Sequence, residues 1–169
     1  MTSSIRKRLS SFDRRTFAAV AVSVLILSVV GGYFALSYGS VVGTRLELFK
    51  VSRSIGPSFV PVGFELDVRV QSSTGFLDTY VDDPLFSLTV DNLLFETVKA
   101  PQRDFRPGNT ASFNLRFQNS DVDIASAIAT RNTNALVLTM SSVVDAGWYR
   151  ETLTRSVSGA WTGNAEANS

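Results

Sequence analysis

The sequence predicts a mainly β protein: an antiparallel β-sandwich with one short helix, preceded by a single N-terminal transmembrane helix. Three observations predict it. An uncharged run of 22 residues follows a basic N-terminus. Beyond that run, apolar and polar residues alternate with period two in several short segments bounded by turn residues. One later segment alone spaces its isoleucines by four, the period of a helix.

Residues 1–16 form a basic cytoplasmic tail, with Arg6, Lys7, Arg8, Arg14 and Arg15 against Asp13. Phe17 to Tyr38 (FAAVAVSVLILSVVGGYFALSY) carries no charge. As a helix it extends roughly 33 Å, about the thickness of a bilayer's hydrocarbon core. Ser23 and Ser28 are tolerated there because a helical hydroxyl can bond back to a carbonyl one turn earlier. Tyr33 and Tyr38 suit the far interface, where a ring with a polar tip is favoured. The run exceeds the roughly 7–15 apolar residues of a cleaved signal peptide, although Ala35-Leu36-Ser37 resembles a cleavage site. The expectation is an uncleaved signal anchor over 17–38. The five basic residues set its N-terminus in the cytoplasm and make contacts to anionic lipid. A linker, 39–43, then leads to an extracytoplasmic domain over 44–159 and a flexible tail over 160–169.

Within the domain, Thr44 to Val51 opens as a strand and Phe64 to Gln71 alternates apolar and polar without interruption. Leu85 to Val90 places Phe86, Leu88 and Val90 on one face, and Asp91-Asn92 turns the chain into Leu93 to Val98 as a hairpin. Ala111 to Gln118 alternates again with larger side chains, Phe113, Leu115 and Phe117. Asp121 to Ala129 is the helix, with Ser120 or Asp121 as its cap and Ile124 and Ile128 on one face. Ala135 to Met140 and Glu151 to Val157 supply the last strands. Turns fall at Gly56-Pro57, Ser72 to Gly75, Asp82-Asp83-Pro84 and Arg106-Pro107-Gly108-Asn109. Many short strands with closely spaced turns describe an immunoglobulin- or fibronectin-III-like sandwich.

This order of elements resembles the late embryogenesis abundant type 2 family, also called the water-stress and hypersensitive-response (WHy) domain. The resemblance covers about Thr44 to Gly159. It is strongest at Leu85-Phe86-Ser87-Leu88-Thr89-Val90-Asp91-Asn92, an alternating strand running into a turn, and at Arg106-Pro107-Gly108-Asn109-Thr110 before Phe113, Leu115 and Phe117. Where the family usually has Asn-Pro-Asn after the long strand, this chain has Gln71-Ser72-Ser73-Thr74-Gly75. The resemblance implies a seven-stranded or similar β-sandwich with one helix. It also implies a non-enzymatic, stress-associated or protective role, in some members on membrane-anchored chains.

Little in the sequence points to chemistry. With no cysteine and no histidine there is no disulfide framework, no thiolate or imidazole metal site, and no Ser-His-Asp or Cys-His catalysis. Asp78, Asp82, Asp83, Asp121 and Asp123 lack any EF-hand spacing and read as solvated turn acids, though loop carboxylates are calcium-type ligands. No phosphate-binding glycine loop occurs, and no cofactor is expected. The eleven basic residues beyond residue 38 are dispersed, which argues against nucleic acid as a partner. Gly147-Trp148-Tyr149-Arg150 reads as a strand entering the core, whereas Trp161, in the polar stretch Ser158 to Asn164, is the candidate contact for a partner. The expected function is a non-catalytic binding or protective role at the bilayer. The partner is a client protein or, alternatively, the other subunits of a membrane complex that this chain stabilises.

Overall fold

In the computed structural model of the chain, the residues described are 14–54, 62–72, 77–106, 110–119, 121–130 and 133–162. They divide into two units, Met1–Ala35 and Leu36–Ser169. Helix α1, Arg14–Val42, makes up the first unit and contributes its last seven residues to the second. Its stretch Thr16–Val42 is long and apolar enough to cross a membrane. Phe17, Leu25, Leu27 and Val29 are all exposed, so the helix presents apolar side chains on every side. Ser28 Oγ donates to Val24 O at 2.8 Å, the back-bond expected of a hydroxyl within such a helix. The helix does not stop at Tyr38: the stretch expected as a linker over 39–43 continues it to Val42.

The second unit is an antiparallel sandwich. Its strands are β1 (Arg45–Ser54), β2 (Val62–Gln71), β3 (Thr79–Val90), β4 (Leu93–Lys99), β5 (Arg103–Phe105), β6 (Thr110–Asn119), β7 (Thr133–Ala146) and β8 (Tyr149–Thr162), with helix α2 (Val122–Ala129) between β6 and β7. One sheet has the order β1-β2-β6; the other has β4-β3-β7-β8, with β5 against the start of β3. Period-two alternation puts Phe64, Leu66, Val68 and Val70 of β2 opposite Phe117, Leu115, Phe113 and Ala111 of β6, all buried. The facing sheet contributes Phe86, Leu88 and Val90 of β3 and Leu136, Leu138 and Met140 of β7. Phe86 meets Phe113 across the two layers with ring centroids 5.2 Å apart, and Phe64 meets Phe95 edge-on at 5.3 Å. Each large apolar side chain so buried contributes about 1.5–3 kcal/mol. On the outer face, Asn114 Nδ2 donates to Glu65 Oε1 (2.9 Å) and Asp67 Oδ1 (2.8 Å).

Local chemistry fixes the ends of the elements. Asp91 and Asn92 both have left-handed φ, 49° and 69°, which a tight two-residue hairpin demands. The Asp91 carboxylate secures that turn by accepting from Ala135 N (2.8 Å) and Asn134 Nδ2 (3.0 Å). Asp121 caps α2 through Asp123 N (3.0 Å) and Ile124 N (3.3 Å), and Ile128 enters the core. The segment Asp82-Asp83-Pro84, expected to be a turn, is instead a bulge inside β3. Pro84 has no N–H to give the ladder, and Asp83 absorbs the irregularity at φ 46°. The bulge divides β3 into a half paired with β5 and a half paired with β4. Strands β7 and β8 are longer than alternation suggested, and β8 runs to Thr162, past the expected domain end at 159. The turns expected at Gly56-Pro57, Ser73 to Gly75 and Pro107 to Asn109 lie outside the described residues.

Candidate functional site

Within the second unit, the end of α1 is built into the base of the sandwich. The last carbonyls of a helix have no partner of their own and need one from elsewhere. No basic residue occupies the last turn of α1. Arg155 of β8 supplies the charge from across the domain: Nη2 donates to Val42 O (2.6 Å) and Nε to Thr44 O (2.9 Å). A guanidinium there also faces the negative end of the helix dipole. Ser40 O accepts from both Thr44 Oγ1 (3.2 Å) and Ser72 Oγ (3.1 Å). Ser37 and Ser40 are fully buried, and Val41 packs with Val144, Ala146, Leu153 and Tyr149 in a small second core.

The β7–β8 hairpin closes over the same place. Gly147, at φ 61°, takes the left-handed first position of its two-residue turn, and Trp148 takes the second. Trp148 N donates to Ser37 Oγ at 3.3 Å, while its side chain is 63% exposed. Tyr38 and Tyr149 meet edge-on, with centroids 5.1 Å apart. Tyr149 also donates its hydroxyl to Glu151 Oε2 at 3.0 Å. That hydrogen bond is the main reason the Tyr149 hydroxyl is held above its ordinary pKa of 10.0, with desolvation and the negative charge of Glu151 acting in the same direction. A cleft of about 500 Å³ runs alongside, bordered by Thr44, Leu46, Arg155 and Ser156.

A second polar cluster lies at the other end of β7. Arg53 Nη1 donates to Asn134 Oδ1 (2.9 Å) and to Ile128 O (3.2 Å), and its guanidinium covers the Trp161 ring with Cζ 3.5 Å from the centroid. Burial lowers the Arg53 pKa from its ordinary value. Asn134, fully buried, relays this cluster to Asp91. The network ties together β1, the end of α2, β7, β8 and the β3–β4 turn.

Of the residues expected at a site, Arg6, Lys7 and Arg8 lie outside the described residues, and Arg14 and Arg15 form the start of α1. Trp161 lies in β8, half-buried against the core beneath Arg53, and not in a free tail. Trp148, read from sequence as core, is the exposed tryptophan, because it sits in a turn and not in a strand. Three of the five acids of the turn segments make structural bonds: Asp82 pairs with Arg150 (3.1 Å), Asp83 with Lys99 (2.8 Å), and Asp121 caps α2. Among the described residues, no three acidic side chains gather as a metal site would need. Sequence reasoning missed Ser37, Ser40, Ser72 and Arg155. Nothing local marks them, since the partners that join them across the domain lie 32 to 113 residues away. Trp148 did have a signal: Gly-X between two alternating runs is a hairpin pattern.

No protein-family model matches the chain, and no curated protein matches it in sequence. Its fold is nonetheless found among solved structures. A solution structure of the Arabidopsis thaliana protein AT1g01470 superposes with a TM-score of 0.54 at 10% identity, covering 70% of this chain and 80% of that one. The solution structure of a protein described as late embryogenesis abundant (LEA) superposes with a TM-score of 0.51 at 12% identity, covering 90% of this chain and 89% of that one. The class so defined is a mainly β sandwich with an LEA-like fold, here joined to an N-terminal helix apolar enough to cross a membrane.

Proposed function

We propose that this chain is a single-pass membrane protein, N-terminus in the cytoplasm, that displays one non-catalytic β-sandwich on the extracytoplasmic side in a binding or stress-protective role. One observation supports the anchor above others. The end of the apolar helix is structural to the domain, since Ser37 bonds the Trp148 amide, and Ser40 and Val41 are buried. Cleavage after Ala35-Leu36-Ser37 would remove one of these partners, so retention of the helix as a signal anchor is the better fit. The non-catalytic reading draws on the acids, whose bonds hold turns, a cap and strand neighbours. The LEA-like fold supplies the protective role by analogy of fold.

Topology is tested by protease added to intact cells: the sandwich is digested while an N-terminal epitope survives. Protection is tested with the full chain in nanodiscs and a client enzyme that aggregates on heating or drying. Aggregation falls further than with an equal mass of an inert membrane protein, and an equal effect from both overturns the protective role. Co-migration with stoichiometric partners on a native gel would make the chain an accessory subunit of a larger complex instead.

A further inference from the structure

We propose that the β7–β8 hairpin tip is a second, shallow membrane contact, in which Trp148 inserts at the headgroup–acyl boundary of the leaflet where the anchor emerges. This rests on the membrane-anchor reading and adds a site to it. Ser37 lies within the last two turns of α1 and of its apolar stretch Thr16–Val42. Trp148 N is bonded to that residue's hydroxyl, which places the hairpin tip beside the last two turns of α1. Two-residue turns ordinarily carry Gly, Asn, Asp or Ser. This one carries the largest apolar side chain available, with 63% of it exposed.

An indole with an apolar body and one N–H donor is disfavoured both in water and in pure hydrocarbon. It is favoured at the interface between them. Two further aromatics share the position, Tyr38 (48% exposed) and Tyr149, packed edge to face. Of the nearby charges, Arg150 is paired with Asp82 and stands opposite Asp145, and Glu151 is a carboxylate that accepts from the Tyr149 hydroxyl. The occupant that fits is the carbonyl and glycerol zone of a phospholipid, which accepts from the indole N–H and surrounds the ring.

The chain has two tryptophans, and they provide the test and its control. Trp161 lies near the opposite end of the β7–β8 ladder, roughly 40 Å from the tip at the rise of an extended strand. The full chain is reconstituted in phosphatidylcholine vesicles as Trp161→Phe, leaving Trp148, and as Trp148→Phe, leaving Trp161. Integration is checked by flotation and by resistance to alkaline extraction. With lipid brominated near the headgroup end of its acyl chains, Trp148 emission should be blue-shifted and about twofold weaker than in unlabelled lipid. Trp161 emission should not change. A chain that floats and resists alkali, yet whose Trp148 emits as in water without quenching, overturns the hairpin contact and leaves the anchor standing. Equal quenching of both tryptophans overturns it as well. A chain released by alkali overturns anchor and contact together. If Trp161→Phe does not fold, fluorotryptophan in the unsubstituted chain gives two resonances for the same comparison, and only one should broaden with a lipid-borne spin label.

Discussion

At the scale of the residue, Arg155 does the work that a basic residue in the last helical turn does elsewhere, but from a strand more than a hundred positions later. Its two charge-assisted bonds to Val42 O and Thr44 O are of the strong kind. Arg155→Ala should cost about 2 kcal/mol, read as a fall in the melting temperature of the detergent-solubilised chain. Arg155→Lys should restore less than half of that, because an ammonium cannot reach both carbonyls in a fixed fork. Tyr149 gives a pH signature. Its folded pKa is raised, so the stability from its bond to Glu151 is complete below the ordinary pKa and is lost as pH rises through the folded one. Tyr149→Phe should therefore lower the melting temperature near neutral pH, and by progressively less as the pH is raised above the ordinary tyrosine pKa of 10.0. A difference that stays constant over that range would show that the hydroxyl contributes nothing through its ionisation. None of the residues at the helix end was legible in the sequence. A serine inside an apolar helix and one arginine among thirteen look alike wherever they point. What distinguishes these is contact between parts of the chain that alternation cannot relate.

At the scale of the element, the six longest strands are legible in alternation and the helix in the four-residue spacing of Ile124 and Ile128, because both signals are written in neighbouring residues. Boundaries were less legible. The sequence alone does not extend β3 through Asp82-Asp83-Pro84, because a turn and a bulge use the same residues and only pairing with β7 on both sides separates them. The end of β8 is hidden in the sequence because Ser158-Gly159-Ala160 reads as a tail. Gly159 instead lies against Leu48 of the other sheet, where an added Cβ would come within 2.6 Å of Leu48 Cδ2. The β3–β4 turn can be improved. Asn92 holds φ 69°, a conformation that glycine adopts freely. Asn92→Gly should raise stability by about 0.5 kcal/mol, whereas Asp91→Gly should lower it, since the Asp91 carboxylate holds Ala135 N and Asn134. Chemical denaturation midpoints of the two variants should move in opposite directions.

At the scale of the whole molecule, β7 and β8 connect two polar clusters, Arg155 with the helix end on one side and Arg53, Asn134 and Asp91 on the other. The core between them is apolar and continuous. Asn134→Ala should cost about 2–3 kcal/mol by leaving Arg53 and Asp91 without a shared partner. Because the clusters share no contact, the double variant Asn134→Ala, Arg155→Ala should lose the sum of the single losses to within about 0.5 kcal/mol. A larger deviation would mean that the two ends of the sandwich communicate.

The bonds from Arg155 to Val42 O and from Trp148 N to Ser37 Oγ join residues 113 and 111 positions apart. During synthesis the helix therefore leaves the ribosome well before the strand that completes its last turn, by roughly 6–20 s at ordinary elongation rates. Throughout that interval the Val42 carbonyl, which Arg155 later takes, has no donor from the domain's last strand, whereas Gly39 O, Ser40 O and Val41 O are already held by Gly43 and Thr44. The helix is in place first, and the domain closes onto its end last.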